Sequence, residues 1–260
     1  MFRTKSKKGI ACLLAVVISA FMLPVSVFAA EYDQDIDVTA DDYTDREGYT
    51  WDSATNTLTL TNVTLTGDGT GKGILLPQGK VTIVLEGENI IQDFSEGFAQ
   101  KNSSSTKGNS LEIKGSGSLT VSQCNYMSSG SFEDVTVDGV KLVGDNTNGL
   151  VMNGNFVAKN GAYIDLSVAD GNNNAWNPIY ANGNIEIYDS TLMSHSGATG
   201  GIWAVGVGKD SSLLKFGNSN ITLNDSGWGA QSGSVQNPNG NVYIENSTIT
   251  VNSVAGVFAN

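Results

Sequence analysis

The chain has 260 residues, a formal net charge of −12, and 31 glycines against four prolines. So acidic a surface argues against nucleic acid and anionic membranes as partners, because both need clustered Lys or Arg. Its two cysteines, Cys12 and Cys124, offer at most one disulfide, so stability must come from packing.

Residues 1–29 read as an export signal. Arg3, Lys5, Lys7 and Lys8 form a basic start, residues 10–27 an apolar core, and Val27-Phe28-Ala29 a small-x-small cleavage site. A membrane anchor is the competing reading, but Pro24 and the small residues at the end of the run favour cleavage. Cys12 lies near the start of the apolar core, whereas a lipid-modified Cys follows it, which argues against lipidation. Cleavage removes four positive charges, takes the net charge from −12 to −16, and leaves Arg46 as the sole arginine. The expected location is secreted, extracellular or at the cell surface, with no membrane contact after cleavage. Grip on uronate or sulfated sugars, which calls for bidentate Arg, is not expected.

Residues 30–48 are acidic and polar, with Asp33, Asp35, Asp37, Asp41, Asp42, Asp45 and Glu47. They read as a lead-in or N-terminal cap, since the end of a stacked sheet needs covering. From Tyr49 the pattern is short strands. Thr57-Leu58-Thr59-Leu60-Thr61 alternates, as do Val63-Thr64-Leu65 and Val81-Thr82-Ile83-Val84-Leu85. The glycine-rich segment 67–73 lacks a following helix, so a phosphate-binding loop is not expected. Cys124 has no His near it and reads as a small packed residue.

The last third repeats itself. Ile179-Tyr180-Ala181 with Ile185-Glu186-Ile187 returns as Ile202-Trp203-Ala204, then as Trp228-Gly229-Ala230 with Val242-Tyr243-Ile244, and begins again at Val257-Phe258-Ala259. Taking Ile74, Phe98, Leu150, Ile179, Ile202, Trp228 and Val257 as equivalent inward positions, with one less legible repeat around 126–143, gives a period of about 26 residues. That predicts an all-β, right-handed parallel β-helix, a solenoid of about eight rungs of three short strands, filling residues 49–260 as one domain. The recurring Asp189-Ser190, Asn218-Ser219 and Asn246-Ser247 are expected at one corner, bonding up and down the stack. Residues 254–260 open a new rung and stop without a cap. The expectation is that the natural chain continues, or that another copy associates through this rung.

The N-terminal rungs carry a family resemblance. Tyr49-Thr50-Trp51-Asp52, Thr57-Leu58-Thr59-Leu60-Thr61-Asn62-Val63, Gly73-Ile74 and the run from Val81 to Ile91 resemble secreted β-helix proteins of clostridia and their gut relatives, often labelled carbohydrate-binding domain-containing. The match covers about residues 49–121. It implies a pectate-lyase-like β-helix at a bacterial cell surface; some relatives of this shape bind pectic polysaccharide with calcium.

Three functions compete. The first is a non-catalytic module binding polysaccharide or another glycan on an exposed solenoid face. The alternative is a structural or adhesive spacer contacting proteins, and the third a carbohydrate-active lyase or hydrolase. The Asn-Thr-Asp, Gly-His-Gly and Arg-Ile-Lys motifs of pectin hydrolases do not occur on a rung, and the one Asp-Asp pair, Asp41-Asp42, lies in the lead-in. No catalytic residue is assigned. The single His195 has no local acid or nucleophile partner and reads as a turn residue. For binding, the residues following the inward ones point outward: Tyr180, Trp203, Gly229 and Phe258 form a candidate aromatic column, which Trp176 and Tyr243 extend. Such rings offer flat faces to sugars, although stacked aromatics also simply stiffen sheets. Asp68, Asp145 and Asp170, in Gly/Asn-rich turns, are candidate calcium ligands. Their spacing fits neither an EF-hand nor a nonapeptide repeat, and solvated turn acids are the competing reading.

Overall fold

The computed structural model describes residues 30–260 apart from 33, 42, 102–106, 169–176, 197–199, 207–210, 226 and 237. The proposed signal (1–29), Trp176 and Asp170 lie outside the described residues. Among those residues there are 27 strands and no helix, arranged as three nine-stranded sheets. The chain is a parallel β-solenoid. Thr57–Thr61 enters the first sheet, Val63–Thr66 the second and Lys72–Leu76 the third; the triplet then repeats until Gly240–Glu245, Thr248–Val251 and Ala255–Ala259. Successive turns take between 21 and 30 residues, as Val137 to Ala158 and Ile83 to Ile113 illustrate.

Alternation decides which side chains enter the core. In Thr57–Thr61 and Val63–Thr66, Leu58, Leu60, Val63 and Leu65 are buried while each intervening Thr is half-exposed. Because partners stack in register about 4.8 Å apart, each inward residue rests on its equivalents: Leu58 on Ile83, Ile83 on Ile113, Ile113 on Val137. The inward positions of the third sheet follow the expected Ile74–Phe98 and Leu150–Ile179 pairing. Toward the end they differ. Ile202 pairs with Ala230, and Ala230 with Val257, so Ala230 and not Trp228 occupies the core, and Gln231 and not Gly229 is the outward partner of Trp203. The shift is two residues, which preserves the alternation and keeps an indole out of an interior already filled by Ile202.

The corner between the first and second sheets is built from residues that tolerate positive φ. Asn62, Gly87, Gly139, Asn160, Asp189, Asn218 and Asn246 hold φ from 47° to 69°. At Gly87 a Cβ would lie 2.0 Å from the Asn62 side-chain oxygen, so glycine there leaves that side chain its place. The expected ladder is present. Asn218 Nδ2 donates to Asp189 Oδ1 at 3.1 Å, the Ser190 amide to Ser219 Oγ at 3.2 Å, and the Ser219 amide to Ser247 Oγ at 3.0 Å.

The acidic lead-in is more than a cover. Ala30–Tyr32 and Ile36–Asp37 join the second and third sheets as parallel strands, and Tyr49–Asp52 lies antiparallel on Thr57–Thr61. Tyr32, Tyr43 and Tyr49 cluster over this end, with Arg46 5.9 Å from the Tyr32 ring centre. At the other end Ile244 and Val254 are exposed. Among the described residues no helix is long and apolar enough to cross a membrane.

One buried polar residue binds three turns together. Asn89 Oδ1 accepts from the Val63 amide at 3.0 Å, while its Nδ2 donates to the carbonyls of Glu86 and Ser118 at 3.2 and 3.1 Å. Replacing Asn89 by Ala strands these groups and should cost about 2–3 kcal/mol, measured by denaturant unfolding. A variant as stable as the parent would contradict this role.

Candidate functional site

The outer face of the third sheet carries the longest run of touching rings among the described residues. Tyr180 and Trp203 are register partners, with ring centres 5.4 Å apart and planes at 84°. Trp203 meets Trp228 at 5.7 Å and 80°, and Trp228 meets Phe258 at 6.3 Å and 81°. Four aromatics from four consecutive turns therefore form one edge-to-face ladder, each contact contributing about 0.5–1.5 kcal/mol beyond burial. All four are half-exposed. Burial raises the pKa of the Tyr180 phenol, which stays neutral.

Two features hold the ladder. Trp203 Nε1 donates to the Gly233 carbonyl at 2.7 Å, fixing the indole's orientation. The Trp228 ring lies flat against Gly200, where an added Cβ would come within 2.4 Å of its Cε2. Gly200 is the register partner of Trp228, so the missing side chain of one turn makes the seat for the ring of the next.

Trp228 is the member of the ladder that alternation alone misassigns to the core. It begins its strand at the bend from the second sheet to the third, where its side chain leaves the wall. The signal for it was the Gly200-Gly201 pair one turn earlier. Phe258 joins the ladder through Trp228, since its own register partner is Gln231. Tyr243 does not extend the ladder: it lies on Gly240–Glu245 in the first sheet, 60% exposed, with Lys215 held between its ring and that of Tyr188 at 5.9 and 5.1 Å.

Of the turn aspartates, Asp68 and Asp145 are not brought together. Asp68 closes its own loop, Oδ1 accepting from the Thr70 amide at 3.0 Å and hydroxyl at 2.6 Å, which holds its carboxyl below the usual range. Asp145 ends a strand three turns further along the second sheet, about 14 Å up the axis, too far to share an ion. Among the described residues no three His, Cys, Asp or Glu side chains converge on a metal-sized site. His195 is not in a turn. It faces outward from the strand Thr191–Ser196, between the buried Ser194 and Ser196. Cys124 is buried, with its thiol pKa raised chiefly by that burial.

No protein-family model, curated protein or solved structure matches the chain.

Gly200→Ala tests the seat of Trp228. The new methyl displaces the indole or the strand and should cost about 1–3 kcal/mol, with a changed tryptophan emission in the folded state. Unaltered emission and stability would show that the ring does not rest there.

Proposed function

We propose that the protein is a non-catalytic polysaccharide-binding solenoid, working outside the cell, and that the aromatic face of the third sheet is its binding surface. The observation that carries this reading is the four-ring ladder of Tyr180, Trp203, Trp228 and Phe258 along the solenoid axis. Rings at successive turns suit a linear polymer, whose sugar units present C–H faces to aromatic surface along its length.

The chemistry of the face supports a neutral ligand. The strands Asn148–Met152, Ile179–Ala181, Gly200–Ala204, Trp228–Ser232 and Ala255–Ala259 contain no Lys, Arg, Asp or Glu. The first sheet, by contrast, bears Glu112, Asp138, Lys159, Glu186 and Lys215 on its outer side. A polyuronate would meet no cation on these five strands and an acidic protein around them. Hydrolysis of a glycosidic bond needs two flanking carboxylates, and these five strands supply none.

The test is a binding panel of neutral and acidic polysaccharides, with and without calcium. Tyr180→Ala/Trp203→Ala should keep the solenoid and lose about 2 kcal/mol, roughly thirtyfold in Kd, toward a neutral polymer. Absence of binding to every polysaccharide, or equal binding by the double variant, would leave the ladder as a stiffening element of a surface spacer.

A further inference from the structure

Beneath the ladder lies a polar cluster inside the solenoid. Asp225 ends the strand Asn220–Asp225 and is fully buried. Its Oδ2 accepts from Ser194 Oγ at 2.8 Å, and its amide donates to Ser253 Oγ at 3.3 Å. Among the described residues its Oδ1 has no partner, and neither has the hydroxyl of Ser196, which is its register partner and is 1% exposed. Alternation puts Ser194, Ser196 and Asp225 on the inward side in phase with Leu192 and Leu223. A carboxyl group with an empty oxygen in such a place is costly when charged.

The cluster touches the ladder's foundations. Asp225 Oδ2 lies where a Cβ on Gly201 would come within 2.5 Å, and the Trp228 indole lies on Gly200. Carboxyl and indole thus rest on adjacent residues of the strand Gly200–Ala204, which also carries Trp203. Asp225 is three residues before Trp228 on the other side of the same bend.

We propose that Asp225 is a proton-operated latch for the aromatic face: protonated, it seats Gly201 and the two indoles; ionised, it loosens them. This rests on reading the ladder as the binding face, and makes binding stronger in mild acid. The protonated carboxyl carries its hydrogen on Oδ1 and leaves no bare charge in the interior. The carboxylate leaves Oδ1 bare in the interior and is relieved only by admitting water or shifting the strand against Gly201.

Burial pushes the Asp225 pKa up to about 6, against the opposing pull of the Ser194 hydrogen bond and of His195. The groups facing it are Ser194 and Ser196 from one strand, Gly201 from the next and Ser253 from the turn above. The ionisable group whose field reaches it is His195, on the outer side of its own strand. Because the folded pKa lies above that of an unfolded Asp, the folded state binds the proton more tightly. The stability that Asp225 contributes is therefore fully present below about pH 4 and is lost as pH rises through about 6.

The experiment is a pH series of tryptophan emission and thermal midpoint on the purified protein, on Asp225→Asn, Asp225→Ser and His195→Gln. Asn keeps an acceptor for Ser194 and cannot ionise; Ser continues the hydroxyl column and guards against misfolding of the first variant. The expected result is one transition near pH 6 in the parent, with emission shifting and the midpoint falling as pH rises. It should persist in His195→Gln and vanish in both Asp225 variants. No transition in the parent, one that survives in the Asp225 variants, or one removed by His195→Gln would overturn the latch. These readouts need no ligand, so they decide the latch even if no polysaccharide binds. Where one binds, its affinity should fall about tenfold or more between about pH 5 and 8 in the parent, and stay level in Asp225→Asn.

Discussion

Everything in this molecule depends on one constraint: each turn must lie in register on the one below, at the spacing of parallel strands. A side chain's vertical neighbours are then fixed by pairing and not by sequence proximity. Like residues stack on like, and a residue that does not fit the column changes the turns on both sides. The apolar columns exclude water, the Asn, Asp and Gly corner lets the chain turn with positive φ, and the Ser ladder satisfies the amides there. Asn89 shows the same economy inside the core, where one amide group answers backbone atoms from three turns.

The aromatic ladder is a product of this stacking. Register alone brings Tyr180 against Trp203. It does not bring Trp203 against Phe258, because Gln231 stands between them in the column. Trp228 bridges the gap from the start of its strand, and it can do so only because the turn below offers Gly200. The neighbouring Gly201 gives room to the Asp225 carboxyl. Two adjacent glycines thus link a surface feature to a buried ionisable group.

Alternation and turn chemistry made the architecture readable before the structure. The Thr/Leu strands, the corner residues and the stacked Ser column stand where their chemistry demands. Exact vertical register was less readable, since a two-residue shift leaves alternation intact; that is why Trp228 took the place of Ala230 in the expected core. His195 reads as a turn residue because no acid or nucleophile partners it locally, yet it lies in a strand whose inward members are Ser194 and Ser196. Ser is common at corners, and nothing local distinguishes an inward Ser that serves a buried Asp one turn away. Tyr243 failed to join the aromatic face for a related reason: its strand resembles Ile185-Glu186-Ile187, and both belong to the first sheet. The ligand's identity had no local signature, because stacked rings serve sugars and sheet rigidity alike.

Hydroxyl-radical footprinting, read residue by residue with and without a saturating neutral polysaccharide, addresses the binding face most directly. Protection is expected at Tyr180, Trp203, Trp228 and Phe258, while Tyr188 and Tyr243 on the first sheet stay equally reactive. Protection of the Tyr188–Tyr243 face, or an unchanged ladder in the presence of bound polymer, would contradict this.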